Sequence, residues 1–376
     1  MQHSPHSRAV DFSALKRLDI SLVILSLVLL ASGILFVYGA GHQIGGKFEA
    51  YWWRQLAFTI LGVGAFTTCV VIDYRILGRW SWLLYLAGIS LLILVLVAGR
   101  EINNAKSWLV LFRFTLQPAE LAKPASVIFL AWLTSRPVFR INRILDLLIF
   151  GLLASLPVLL IAQQPDYGTA LVFVPAAFAI LFTGGLSWRF ILMALLIVML
   201  ASPLVYHFVL APHQRDRIQT FMNPADDISD AGWNAHQSLL AVGSGGTTGK
   251  GFMKGNQHVL GYLPKTVAST DFIFSVIGEE TGFIGAGAIV CAFVGILICC
   301  LRTAANAPDR FGALICAGVT GILLTHVYVN VGMTIRAAPI IGIPLPFLSY
   351  GGSFMLGTMI SLGLVQSVHV RRDERP

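Results

Sequence analysis

The sequence predicts an all-α polytopic membrane protein of about ten transmembrane helices, with a large extracytoplasmic loop between helices seven and eight. Three observations predict it. Apolar residues make up 56% and charged residues 12% of the 376, and mean hydropathy is +0.77; no soluble domain of this size needs so much apolar surface. Apolar runs near 20 residues recur along the chain, which suits helices and excludes a β-barrel, whose strands would be ~10 residues of alternating polarity. Basic residues are unevenly shared between alternate connections, as the positive-inside rule requires. The whole chain, 1–376, reads as one integral membrane domain with the 211–270 loop inside it.

Ten spans follow in order: 18–40, 55–73, 80–99, 118–134, 144–163, 168–185, 188–210, 271–301, 311–332 and 352–369. The first has no small-residue cleavage site after a short apolar core, so it is expected to stay as a helix rather than be removed as a signal peptide. The fourth opens on Pro118, suited to a first helical position. The eighth is too long: as a helix 271–301 would extend ~46 Å against a hydrocarbon core of ~30 Å. Residues 271–280 are therefore expected to stand above the core or bend into a cavity, with Gly282 as the break. The five cysteines, Cys69, Cys291, Cys299, Cys300 and Cys316, fall within apolar runs without ligand spacing and read as small packing residues.

With the N-terminus inside, inner segments hold 14 of 26 basic residues and the short outer segments hold six. That distribution places both termini in the cytoplasm. It also accounts for the net charge of +8 by basic cytoplasmic connections rather than by nucleic-acid binding.

Ionisable residues at the span edges are the candidates for chemistry. A carboxylate at a membrane edge costs free energy unless it is solvated, paired or lining a cavity. Asp271 stands where the long loop enters the eighth span. Glu120, in the first turn of the fourth span, suits the positive end of the helix dipole. It shares a face with Lys123, ~4.5 Å further along the axis; a helix-start charge with a snorkelling lysine is the plain alternative. Asp166 in Gln163-Gln-Pro-Asp-Tyr-Gly168 is either a helix N-cap or part of a site. Arg336 precedes a stretch with three prolines and three glycines up to Gly352. Such backbone is tolerated at membrane depth only when buried in protein or lining a wet cavity. On the expected topology Glu120, Lys123, Asp166, Asp271 and Arg336 all face one leaflet, and that convergence favours a site. Glu279 and Glu280, near the same interface, read as structural hydrogen-bonding groups. Gly243-Ser-Gly-Gly-Thr-Thr-Gly-Lys-Gly251 lacks Walker spacing. It reads either as a flexible turn or as backbone amides and Lys250 meeting a phosphate-bearing substrate.

These residues resemble the SEDS family (shape, elongation, division and sporulation), and within it the RodA branch. Four blocks carry the resemblance, which covers essentially the whole chain: Trp108 through Gln-Pro-Ala-Glu-Leu-Ala-Lys123; Gln164-Pro-Asp-Tyr-Gly-Thr-Ala170; the glycine loop together with Thr270-Asp-Phe-Ile-Phe-Ser-Val-Ile-Gly-Glu-Glu280; and Asn330-Val-Gly-Met with Pro339 through Gly352. Gly342-Ile-Pro-Leu-Pro favours RodA over its division relative FtsW. The resemblance implies a peptidoglycan glycosyltransferase of the bacterial cytoplasmic membrane that polymerises lipid II at its outer face. It implies a class B penicillin-binding transpeptidase and the elongation machinery as partners. The family's essential aspartate maps onto Asp271, its Glu/Lys pair onto Glu120 and Lys123, and its Gln-Pro-Asp aspartate onto Asp166. One departure is visible: the family usually reads Leu-Pro-Glu-x-His-Thr-Asp. Here Leu263-Pro-Lys-Thr-Val-Ala-Ser-Thr-Asp271 is two residues longer and lacks the Glu and the His.

The chemistry suits the groups. A sugar 4-hydroxyl must lose its proton while attacking C1 of a lipid-pyrophosphoryl sugar, and one carboxylate base suffices because pyrophosphate leaves well once its charge is met. Asp271 is the expected base. Lys123, Arg113 or Arg336 is expected to neutralise the pyrophosphate, with Glu120 orienting Lys123. A divalent cation, Mg or Mn, bridging carboxylates and pyrophosphate is compatible with this chemistry, although no ligand spacing shows one. A lipid II flippase is the competing class, and it predicts inverted repeats and polar groups spread through the midplane. A non-catalytic scaffold would not need the outward carboxylates.

Overall fold

The computed structural model describes residues 10–102, 105–111, 114–209, 212–222, 230–263 and 265–374. Its elements in order are α1 (Ile20–Ile44), α2 (Tyr51–Val71), α3 (Tyr74–Arg79), α4 (Ser81–Ala98), β1 (Arg100–Ile102), β2 (Ala105–Leu111), β3 (Phe114–Leu116), α5 (Pro118–Ser135), α6 (Ile144–Ala162), α7 (Tyr167–Thr183), α8 (Trp188–Leu204), α9 (Pro212–Met222), α10 (Asp230–Ser244), α11 (Lys265–Ala268), α12 (Ile273–Ala305), α13 (Arg310–Thr334) and α14 (Gly352–His369). It is an all-α polytopic membrane protein.

Among the described residues, seven helices are long and apolar enough to cross a membrane. The other three expected spans are α5, α7 and α14. α7 has 17 residues, whereas α5 and α14 are less apolar for a packing reason. α14 buries Ser353, Thr358, Ser361, Gln366 and Ser367, and α5 buries Glu120, Lys123, Ser126 and Thr134. A helix shielded from lipid by neighbours can carry polar groups that meet partners inside the bundle.

α13 is the central post, packed against α5, α7, α12 and α14, while α14 lies along α2. The core follows α13, with Leu314, Ile315, Val319 and Leu323 buried against residues such as Val172, Ile180 and Ile296. Close approach is needed where α14 crosses α5, because a Cβ on Gly357 would lie 2.6 Å from the Glu120 carbonyl oxygen.

Polar groups gather at two ends. At the terminal end, Asp11 donates its amide to the Val71 carbonyl, and Arg371 donates to the Val70 and Val71 carbonyls. Arg75 pairs with Asp309 at 3.0 Å there. The opposite end, the loop end, carries the 100–116 segment, the 163–166 turn and the 230–271 and 336–352 segments.

The sequence expectation needs three corrections at the loop end. Strands β1, β2 and β3 form an antiparallel three-stranded sheet in that order. The described residues of the 211–270 segment include the helices α9, α10 and α11. α10 lies on α12, where Ser238 and Ser275 hydroxyls are 2.6 Å apart and Ser238 donates to the Thr334 carbonyl at 2.9 Å. The glycine loop 243–251 is not a flexible turn. Lys250 and Gly251 amides donate to the Glu279 and Glu280 carbonyls, while Phe283 and Ile284 amides donate back to Gly246 and Thr247.

The break expected at Gly282 is present. Its φ of 65° and ψ of −164° interrupt α12, a conformation open essentially to glycine alone. The 23 residues beyond the break then rise ~34 Å, close to one hydrocarbon thickness.

Candidate active site

Asp271 lies in the turn between α11 and α12 and is partly exposed. Its position is set by the backbone on both sides. The Ser349 hydroxyl donates to the Thr270 carbonyl at 2.6 Å, and the Tyr350 amide donates to the Ser269 carbonyl at 2.8 Å. Asn330 of α13 donates through its side-chain nitrogen to two carbonyls, those of Asp271 at 2.8 Å and Ile343 at 2.7 Å. Gly342, at φ 79°, faces the carboxylate, since a Cβ there would lie 3.3 Å from Oδ2. The residue needs glycine for its backbone and leaves space beside the acid.

The irregular segment 336–351 is therefore the frame of the site. Ile343, Leu345, Phe347 and Leu348 are buried, so its unpaired carbonyls must find donors inside the protein. Asn330 supplies one. Gln55 supplies another, donating to the Ser349 carbonyl at 3.0 Å while its own carbonyl accepts from the Gly351 amide. Tyr51 and Tyr350 stack with ring centroids 4.0 Å apart.

Glu120 and Lys123 form a 2.7 Å ion pair. They are only 2% and 3% exposed, so Lys123 does not snorkel to water; that alternative is corrected by its partners. Lys123 Nζ lies 3.0 Å from His326 Nε2 and 5.3 Å from the centre of the Phe354 ring. Proline at the first position of α5 and the carboxylate in its first turn suit the start of a helix, and Gln117 just before it donates to Asp166 Oδ2 at 2.8 Å. The other Asp166 oxygen accepts from the Thr169 amide at 3.2 Å. Asp166 is thus an N-cap and also the partner of the residue that leads into α5.

Four of the expected residues, Asp271, Glu120, Lys123 and Asp166, are tied to one framework made by α13, the start of α14 and segment 336–351, Asp166 through Gln117, whose amide donates to Ser353 Oγ at 3.0 Å. Arg336 opens that segment with a φ of 58°, and among the described residues its side chain forms no ion pair. Arg113 lies outside the described residues. Lys250 belongs to a different group. Its ammonium is 2.6 Å from Glu279 Oε1, and the same carboxylate accepts from the Asn256 amide at 2.8 Å and from Gln257. The neighbouring His258 donates Nε2–H to Gln43 Oε1 at 2.8 Å, and burial pushes its imidazole below the usual histidine range. Glu279 is structural, as its position in the sequence suggested.

His326 and Gln55 were not singled out by sequence reasoning, and Asn330 and Gln117 entered it only as members of motif blocks, not as site residues. The available signal was a histidine and an asparagine four residues apart inside an apolar span, which puts both on one helix face. Among the described residues no group of three or more His, Cys, Asp and Glu side chains is arranged to hold a metal ion. Among the described residues the donor set by itself therefore does not fit a resident divalent cation.

Comparison with known proteins fixes the family. The model FTSW_RODA_SPOVE, a cell cycle protein family, matches residues 19–374. The chain belongs to this family. Among curated FtsW/RodA/SpoVE relatives, the peptidoglycan glycosyltransferase MrdB of Escherichia coli K12 is 34% identical over 94% of each chain. The peptidoglycan glycosyltransferase RodA of Treponema pallidum is 30% identical, covering 94% of this chain and 98% of its own. A solved peptidoglycan synthase complex, described as coordinating polymerization and crosslinking, contains a chain that superposes with a TM-score of 0.81. It is 32% identical, with 94% of this chain and 98% of that one covered. Rod shape determining protein RodA of Thermus thermophilus superposes with a TM-score of 0.70 at 30% identity, covering 94% and 97%.

Proposed function

We infer that this chain is a peptidoglycan glycosyltransferase that polymerises lipid II into glycan strands during cell elongation. The observation that carries the reading is near full-length similarity to MrdB and RodA, both named for that activity. The site geometry supplies the chemistry. Asp271 takes the proton of the acceptor 4-hydroxyl as it attacks C1 of the lipid-pyrophosphoryl sugar with inversion. The C1–oxygen bond to pyrophosphate breaks, and the departing charge is met by Lys123, with Arg336 and Arg113 as further cations. Glu120 holds the Lys123 ammonium, and Asp166 fixes the approach to α5 through Gln117. Lys250 we assign to the loop, because its partner Glu279 is held by the Asn256 and Gln257 amides rather than by the frame around Asp271. A divalent cation carried in by the pyrophosphate is tested by chelation.

A penicillin-binding crosslinking enzyme is the partner that a shared synthase complex supports, and we take it to be of class B. We place the protein in the bacterial cytoplasmic membrane with both termini inside, as the basic residues suggest. A division-side role is the second reading, favoured by a 36% identical relative named FtsW from Trichlorobacter lovleyi. Fluorescent fusions concentrated at septa rather than along side walls would select it.

The decisive experiment incubates purified protein with lipid II in detergent, where no two compartments exist for a flippase. Polymer should form, and Asp271→Asn should lower the rate by about 10²–10⁴-fold, the range of a lost general base, while the protein stays folded. Wild-type rates from the Asn variant would remove Asp271 from the mechanism.

A further inference from the structure

α13 presents His326 and Asn330 on one face, one turn or ~6 Å apart along the axis. Each side chain contacts two different parts of the site. Asn330 joins the Asp271 carbonyl to the Ile343 carbonyl. His326 joins Lys123 to the carbonyl of the next residue, Pro344, at 3.0 Å from Nδ1. Two consecutive carbonyls of segment 336–351 are thus gripped by two consecutive turns of one helix. The Asp271 turn hangs from one turn, and the Glu120–Lys123 pair hangs from the other.

The donor arithmetic allows one arrangement. Lysine ammonium only donates, so His326 Nε2 must accept. The proton of a neutral ring then sits on Nδ1 and donates to the Pro344 carbonyl. Both ring nitrogens are used, and His326 is 1% exposed. A buried histidine satisfied in this way could serve the fold alone. Its partners argue for more: one is a buried ammonium already paired at 2.7 Å with Glu120, and the other is the backbone that frames Asp271. Two of the three Lys123 donors have fixed acceptors, and the Phe354 ring covers the ammonium at 5.3 Å, so its position is defined from three sides.

We propose that His326 is a positioning residue that holds the Lys123 ammonium at a fixed place relative to Asp271, through the Pro344 carbonyl and the shared face of α13. The proposal rests on the polymerase reading and adds a residue to it. Its consequence is selective. The two reacting partners of the transfer, base and phosphate-facing cation, sit on separate elements, and a displacement near 1 Å between such groups is enough to cost about 100-fold in rate. Substrate contacts made elsewhere would be unaffected.

Two polar replacements separate this role from a structural one. In His326→Gln the amide oxygen reaches the place of Nε2 and can still accept from Lys123. In His326→Asn the shorter amide reaches only the place of Nδ1 and can serve Pro344 but not Lys123. Both keep a hydrogen-bonding group in the site. Initial rates on lipid II in detergent, together with thermal melting, should give the Gln variant within about threefold of wild type in kcat. The Asn variant should lose about 10- to 100-fold in kcat with KM within about twofold, at a similar melting temperature. In a Lys123→Ala background, His326→Asn should add little further loss, since it acts through the missing group. Equal kcat for folded Gln and Asn variants overturns the proposal, as does unfolding of both, which would make His326 a residue of the fold alone. If wild-type protein makes no polymer, the polymerase reading itself falls; an active wild type with an unimpaired Asn variant removes only the positioning role.

Discussion

Replacing Lys250 with methionine separates two uses of one ammonium. The structure commits it to Glu279, a carboxylate that is fully buried and held at 2.6 Å. Removing one partner of a buried pair costs ~3–5 kcal/mol when the remaining charge is stranded. Here the figure is smaller. Asn256 and Gln257 amides still donate to Glu279, and the lysine side chain is 28% exposed, so solvent already screens part of the attraction. A loss of ~2 kcal/mol follows, near that of one hydrogen bond to a charged group. For a chain of this size, taking ~2 °C per kcal/mol, the melting temperature should fall by about 4 °C. Adding Glu279→Gln should recover part of the loss, because the amide oxygen can keep an amide partner and no buried charge remains. Melting in detergent by tryptophan fluorescence reads the first effect, and polymerisation rate per folded molecule reads the second. That rate should be nearly unchanged. An unchanged melting temperature with a large rate loss would refute the assignment and return Lys250 to the substrate phosphate.

Lys123→Ala should reduce initial rates on lipid II far more than Lys250→Met, because only Lys123 is tied to the frame around Asp271; equal losses would break that distinction. His258 gives a pH signature. Burial lowers its folded pKa below the ordinary 6.5, so the unfolded chain binds the extra proton first and stability falls as pH drops below that value. The acid-side decline in melting temperature should flatten in His258→Gln, and an unaltered profile would assign it to other groups. Orientation is tested with single cysteines in a cysteine-free background. One at Leu260, 65% exposed, should react with an impermeant maleimide added outside, and one at Val138, 87% exposed, only after permeabilisation. The reverse pattern would put Asp271 in the cytoplasm and end the polymerase reading.

Much of this was legible because hydropathy and helix geometry are local. The excess length of 271–301 followed from rise per residue, and the break at Gly282 with it. Placing Asp271, Glu120, Lys123 and Asp166 on one side followed from counting spans. What was hidden depended on partners. Whether Lys123 reaches for water or turns inward is decided by His326, which comes from a helix some 200 residues later. α10 is hard to place from hydropathy because the face it buries includes Ala235, Gln237, Ser238 and Ala241, small or polar residues, with Ser238 meeting the hydroxyl of Ser275 and the end of α13. The 100–116 sheet has strands of three to seven residues, shorter than an alternation can reveal. His326 and Asn330 lie in a run that hydropathy counts only as membrane.

The depth profile of polar groups bears on the competing transporter reading. From the loop end, ionisable side chains reach as far as Lys123 and His326, the latter eight residues or ~12 Å inside the end of α13. Below them the facing surfaces are Val127, Leu130 and Ala131 on α5 and Ile322, Val319 and Ile315 on α13, all buried and apolar. Three of the hydroxyls at that depth are spent within their own helices: Thr134 donates to Leu130, Thr320 to Cys316 and Thr325 to Gly321. The next charge along α13 is Arg310 at its start, beside the Asp309 cap, ~24 Å from His326, and Asp309 is engaged by Tyr74 and Arg75. Among the described residues, a pyrophosphate moving along this α5–α13 seam would meet no charged group over that distance, at a cost of several kilocalories per uncompensated charge. The same profile suits a reaction performed at one face. On the proposed reading the lipid anchor would stay in hydrocarbon, the pyrophosphate would be met at the depth of Lys123, and the sugar would lie toward the loop end, where Asp271 is partly exposed. The polar groups end where the chemistry no longer needs them, which is the arrangement of a surface polymerase.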